Sequence, residues 1–99
     1  GLLTLWYESG QKRQELNYKD GKRVGPQTRW HENGQKEAES NYKDGKLDGL
    51  YVDWYENGQK SSEGNWKNDK EDGLWRFWHE DDGRERSRTT FKDGRIVED

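Results

Sequence analysis

The sequence predicts an all-β fold: four 24-residue β-hairpin repeats forming an elongated antiparallel meander sheet of about eight strands. Three observations carry this. The chain aligns with itself at a period of 24 along almost its whole length. Eleven of its 12 glycines fall on three positions of that period, as turns that recur at fixed spacing would require. The runs between the turns are five to seven residues long and rich in Trp, Tyr and Thr. They are too short for helices and suit strands.

The units are residues 1–24, 25–48, 49–72 and 73–99, read as a single repeat domain. Each opens on a strand ending in Trp (Trp6, Trp30, Trp54, Trp78), as in Leu50–Tyr55. A Tyr or His follows (Tyr7, His31, Tyr55, His79), then Glu8, Glu32, Glu56 or Glu80. The first turn is Ser9-Gly10, Asn33-Gly34, Asn57-Gly58 or, with Asp81 inserted, Asp82-Gly83. A second strand, as in Lys60–Trp66, leads to another ring (Tyr18, Tyr42, Trp66, Phe91). The second turn is Lys-Asp-Gly-Lys in the first two units, Lys67-Asn68-Asp69-Lys70 in the third and Lys92-Asp93-Gly94-Arg95 in the last. Asn, Asp and Gly tolerate positive φ, so both turns are expected as tight type I′ reversals. At Gly25, Gly49 and Gly73, which open units, a missing Cβ is expected to let a ring pack on the backbone.

Composition sets the kind of core. Only 25% of residues are hydrophobic while 39% are charged, yet 13 of the apolar residues are aromatic. Such a chain gains its buried area from rings, each hiding about 150–250 Å². Along Leu50–Tyr55, alternation puts Leu50, Val52 and Trp54 on one side and Tyr51, Asp53 and Tyr55 on the other. A plain two-residue turn pairs Trp54 with Ser61, and a bulged turn shifts that pairing by one. The reading adopted puts Trp54 and Trp66 on a common buried side, with the Trp column as a ladder. Tyr51, Tyr55, Trp75, Phe77 and His79 then form the candidate binding surface on the opposite face.

The stretch Asn41-Tyr42-Lys43-Asp44-Gly45-Lys46-Leu47-Asp48-Gly49, followed by Trp54-Tyr55-Glu56-Asn57-Gly58-Gln59, resembles the MORN repeat. It is similar to the variant form in bacterial YwqK-family antitoxins. Asp69 in place of a turn glycine, Pro26 after an opening glycine and the inserted Asp81 depart from the pattern. The resemblance implies an extended hairpin sheet used as a scaffold for protein contacts. An antitoxin-like role would follow from the family label alone.

Chemistry in the sequence is sparse. The four repeated glutamates lack the differing environments that would split their pKa values, and read as turn flanks pairing with nearby Gln or Lys. His31 and His79 lie two units apart, roughly 19 Å by strand spacing, and read as stand-ins for Tyr rather than metal ligands. No phosphate loop or nucleophile triad is present, so no catalytic residue, cofactor or metal is assigned and the chain is read as a non-enzyme. A net charge of -3 argues against nucleic acid and anionic membranes as partners.

Two functions remain. One is a protein-interaction scaffold, with Leu2, Leu3 and Leu5 at one end and Ile96-Val97 at the other able to join further repeats or a second copy. The alternative is a carbohydrate or cell-wall module that stacks sugars on aromatic rows. The apolar ends suggest a piece of a longer array or a self-associating chain, and a cytoplasmic location is the working expectation.

Overall fold

A computed structural model describes residues 1–97, leaving the last two positions of the fourth unit outside the described residues. The strands are β1 (Leu2–Trp6), β2 (Lys12–Lys19), β3 (Lys22–Arg23), β4 (Gly25–Trp30), β5 (Lys36–Lys43) and β6 (Lys46–Leu47). They continue with β7 (Gly49–Trp54), β8 (Lys60–Lys67), β9 (Lys70–Trp78), β10 (Glu85–Lys92) and β11 (Arg95–Ile96). All join one antiparallel sheet in the order β1-β2-β4-β5-β7-β8-β9-β10-β11, with β3 beside β2 and β6 beside β5. The sheet measures 46 × 37 × 13 Å, a single layer with both faces open. The predicted all-β meander is what forms. Eight strands are long, and β3, β6 and β11 are two-residue arms that return from the second turns.

The two turns differ. At the second, Asp44 and Gly45 both take positive φ (51° and 82°), and Lys43 pairs with Lys46, as a type I′ hairpin requires. At the first, Gly58 alone is left-handed (φ 91°). The Gly58 N–H donates to the Tyr55 carbonyl at 2.9 Å, so Glu56-Asn57 form a type I turn closed by the glycine. Asn57 steadies it by accepting the Gln59 N–H on Oδ1 at 3.0 Å. Type I′ geometry therefore applies to the second turns only.

The first turn also decides the faces. Trp54 pairs with Lys60 but Asp53 pairs with Ser62, so the shift is spent on one bulge next to the turn. The body of the hairpin keeps the unshifted register, with Tyr51 opposite Gly64 and Gly49 opposite Trp66. Paired residues share a face, so Trp66 lies with Tyr51 and opposite to Trp54. The expected common side for Trp54 and Trp66 does not exist. Following the ladders across the sheet, one face carries Leu16, Gln27, Ala38, Ser62, Trp66 and Trp75, and all but Trp66 are buried. This is the core face. The other, the Trp face, carries Trp6, Trp30, Trp54 and Trp78, with Val52 its buried residue.

The opening glycines also act differently from expectation. A Cβ placed on Gly25 or Gly73 would meet nothing within 4 Å, so no ring packs there. Their φ values of 71° and 80° are the requirement: Gly25 opens β4 after the short arm β3, and Gly73 bends the chain within β9. Gly64, the glycine outside the repeat pattern, is the one on which a ring packs. A Cβ there would overlap the Trp75 indole.

Candidate binding face

The structure brings three of the five predicted surface residues together, as core. Trp75 is 4% exposed and donates its indole N–H to the Asn65 carbonyl at 3.0 Å. Around it lie Trp66, Tyr51, Phe91 and Phe77, with ring centroids 5.6, 5.7, 6.4 and 6.5 Å away. The Trp66 and Phe91 contacts are edge-on, the arrangement that aligns the positive edge of one ring with the negative face of another. Trp75 therefore presents no surface, and Tyr51 and Phe77 are half-buried against it. Burial, joined by the nearby Asp53 carboxylate and the hydrogen bond to it, pushes the Tyr51 hydroxyl up to about 12.

Tyr55 and His79 lie elsewhere, on the rim formed by the first turns. The Tyr55 hydroxyl donates to the Trp78 carbonyl at 2.8 Å, one repeat on. Tyr7 reaches the Trp30 carbonyl in the same way at 2.6 Å, and His31 Nε2 contacts that of Trp54 at 3.0 Å. The alternation of Tyr and His at this position thus has a physical basis. Either ring carries a polar tip that can clamp the next unit, which fits the reading of His31 as a stand-in for Tyr. His79 occupies the same position in the last unit, is exposed, and has no following Trp carbonyl among the described residues. Asn33 and Asn57 extend the clamp to the carbonyls of Glu56 and Glu80 at 2.9 and 2.7 Å. Glu8, Glu32, Glu56 and Glu80 are exposed here, and their carboxylates form no ion pair among the described residues.

The Trp face holds what sequence reasoning missed. Leu2, Leu50 and Leu74 recur at the second position of their units and stand 61, 50 and 46% exposed. Pro26 continues the row, also exposed. The signal was present in the sequence, but the face assignment placed Leu50 with the buried Trp column. Cations cover two of its four indoles, those of Trp30 and Trp78. Lys12 lies 5.8 Å from the Trp30 ring, and Lys60 and Arg76 lie 5.7 and 5.1 Å from that of Trp78. Lys12 and Lys60 also pair with Glu15 and Glu63, three residues on. The last unit reverses this order: Arg88 and then Arg76 hold the Glu85 carboxyl below the usual carboxylate range.

The core face has one break. The third positions of the units read Leu3, Gln27, Tyr51 and Trp75, and only Gln27 puts an amide into that column. A cavity opens beside it, lined by Arg23, Arg29, Ser40, Tyr42 and Tyr51. Among the described residues, no group of three or more His, Cys, Asp or Glu side chains is placed to hold a metal, and no helix is long and apolar enough to cross a membrane.

No curated protein matches the chain. A family model described as the MORN repeat variant matches residues 1–20, 23–44 and 47–68. The three matches fall at about the 24-residue spacing of the hairpins, and Gly73 to Val97 repeats the same hairpin geometry. Period, strand pairing and match agree: the chain belongs to the MORN repeat variant family, whose repeats form a non-catalytic scaffold.

Proposed function

We propose that the chain is a scaffold for a protein partner, which it meets with the Trp face. The supporting observation is the exposed row of Leu2, Leu50 and Leu74 on a sheet one layer thick. Across the ladder Leu2, Leu50 and Leu74 face Asn17, Asn65 and Thr90, so the row is a line of separate apolar anchors set among polar side chains, repeated at the same position of three units. Adjacent units sit two strands apart, roughly 9.5 Å, so the row offers evenly spaced anchors to an extended partner. Flanking Trp and Arg residues are the types that dominate binding energy at such contacts.

Two finer readings rest on this one. Resemblance to the YwqK-family repeats supports a toxin as the partner, held inactive by being covered. The uncharged edge strand β1, with Leu3 and Leu5 exposed beside Leu2, supports self-association by strand addition. The carbohydrate reading is weaker because Lys12, Lys60 and Arg76 lie against the indoles of Trp30 and Trp78 and interrupt the aromatic row on which a sugar chain would stack.

The test is capture from the native host with wild type and with a Leu50→Glu/Leu74→Glu variant. Both side chains are half-exposed, so the variant is expected to keep its melting temperature within a few degrees while losing the captured protein. A partner retained by the variant would overturn the assignment to this face. Glycan retention by the wild type, in the absence of any captured protein, would favour the sugar reading.

A further inference from the structure

We infer that the cavity beside Gln27 is a recognition pocket for a carboxylate, supplied by an Asp or Glu side chain of a partner protein. It lies on the core face, between the first three units, opposite to the Leu row. Its volume is about 130 Å³, room for a short acidic side chain and too small for a nucleotide or a sugar ring with its neighbours.

The pocket arises from two adjacent departures in the core columns. Where the first, third and fourth units place Leu3, Tyr51 and Trp75, the second unit has Gln27. Directly across the ladder from Gln27 is Ser40, where the first unit has Leu16. In the third unit a small partner, Gly64, is filled by the Trp75 indole, but Ser40 and Gln27 leave their space open.

The lining sets the ligand's charge. The cavity is bordered by Gln14, Arg23, Gln27, Arg29, Tyr42 and Tyr51 among others, and by no Asp or Glu. Yet acids outnumber bases in the chain, 21 to 18. Arg29 is already paired with Glu37, which leaves Arg23 as the available cation. Arg23 donates to the hydroxyls of Tyr18 and Tyr42 at 3.4 and 3.1 Å, and its guanidinium lies 5.3 Å from the Tyr42 ring centre. Those contacts orient it and use two of its five N–H groups. It has no carboxylate partner among the described residues.

Gln27 is 5% exposed, and its Nε2 has no hydrogen-bond partner. A buried donor left unpaired destabilises a fold, and an apolar residue of similar size would avoid that. Gln59 Oε1, Trp66 Nε1 and Arg76 Nε are unpaired in the same way, but the Gln27 amide is the one of these that borders the cavity. A guanidinium and a primary amide together offer the planar donors that a carboxylate accepts, and the Tyr42 and Tyr51 rings wall the slot.

This proposal shares with the scaffold reading only that the ligand belongs to a protein; because the pocket opens on the core face, the carboxylate comes from a contact separate from that at the Leu row, and its chemistry is tested separately. The whole chain, isotope-labelled, is titrated with sodium acetate, with acetamide and with inorganic phosphate at constant ionic strength. The reporters are the side-chain N–H signals of Gln27 and Arg23. Acetate is expected to produce saturable shifts at both, and acetamide is expected to bind at least tenfold more weakly. Gln27→Leu is expected to weaken acetate at least tenfold while melting at or above the wild-type temperature, and Arg23→Gln is expected to weaken it similarly. Unsaturable shifts, equal binding of acetamide, tighter binding of phosphate, or wild-type affinity in Gln27→Leu would each overturn the pocket. Loss of capture by the Leu variant bears on the scaffold reading alone, because those leucines lie on the other face.

Discussion

Two glycines show how the same residue serves different physical needs. Gly73 has a φ of 80° and open space around it, so Gly73→Ala meets backbone strain alone, about 1 kcal/mol, which Asn would largely relieve. Gly64 has ordinary backbone, but its missing Cβ is the seat of the Trp75 indole. Gly64→Ala is expected to cost several times more, and Gly64→Asn to be worse still, in urea melts. Equal costs at the two sites would mean that the Trp75 ring is not seated as described. Trp75→Ala is expected to remove about 3–5 kcal/mol, and the half-buried Trp54, on the opposite face, distinctly less. The sequence marked Trp54 as the central ladder residue because it recurs in every unit. Trp75 recurs in none, and its importance depends on Gly64, which periodicity flags only as an exception. Tyr51 adds a pH dependence. Its hydroxyl is pushed up to about 12 from an ordinary 10, so the folded state keeps a proton that the unfolded chain gives up. That stabilisation is complete below pH 10 and is lost as pH rises toward 12. Tyr51→Phe is expected to flatten the alkaline fall in urea midpoint, and an unchanged slope would contradict the burial of that phenol.

At the scale of the hairpin, turn chemistry was half legible. Asp-Gly correctly announced a type I′ reversal between Lys43 and Lys46, and Asn68-Asp69, both at positive φ, show that the geometry survives without glycine. Asn-Gly at the first turn has the same local preference but forms a type I turn with a bulge. In the third unit this turn is tied to the next one. Asn57 donates its side-chain amide to the Glu80 carbonyl while its Oδ1 accepts from Gln59, two contacts made across and within the repeat. Tyr55 adds its hydroxyl to Trp78. These partners lie 23 residues away, beyond what a turn dipeptide reveals. Tyr55→Phe is expected to lose about 1 kcal/mol, and Tyr55→His to recover much of it, since His31 fills that role one unit earlier. Failure of His to recover more than Phe would show that the ring packs there without its polar tip mattering.

For the whole molecule, a one-layer sheet makes stability a sum of neighbour terms, so the fold should depend unequally on its units. Repetition in sequence hides this inequality. The largest buried side chain, Trp75, lies in the last unit, and among the described residues the ring-ring contacts lie between Tyr51 and Phe91. Removing the first unit, residues 1–24, takes away an exposed β1 and the Leu16 contacts but leaves every one of those ring pairs. Removing residues 73–99 takes away Trp75, Phe77 and Phe91 and strands Tyr51 and Trp66 on an open face. The shortened chain 25–99 is therefore expected to unfold cooperatively at a midpoint near that of the whole. The chain 1–72 is expected to lose most of its stability, although it keeps all three stretches that match the family. Urea titrations followed by Trp fluorescence compare them directly. If both lose the same amount, the units are energetically equivalent and the ring cluster is no more than one contact among many; if 1–72 is the sturdier, the core lies in the first two units and the burial pattern has been misread.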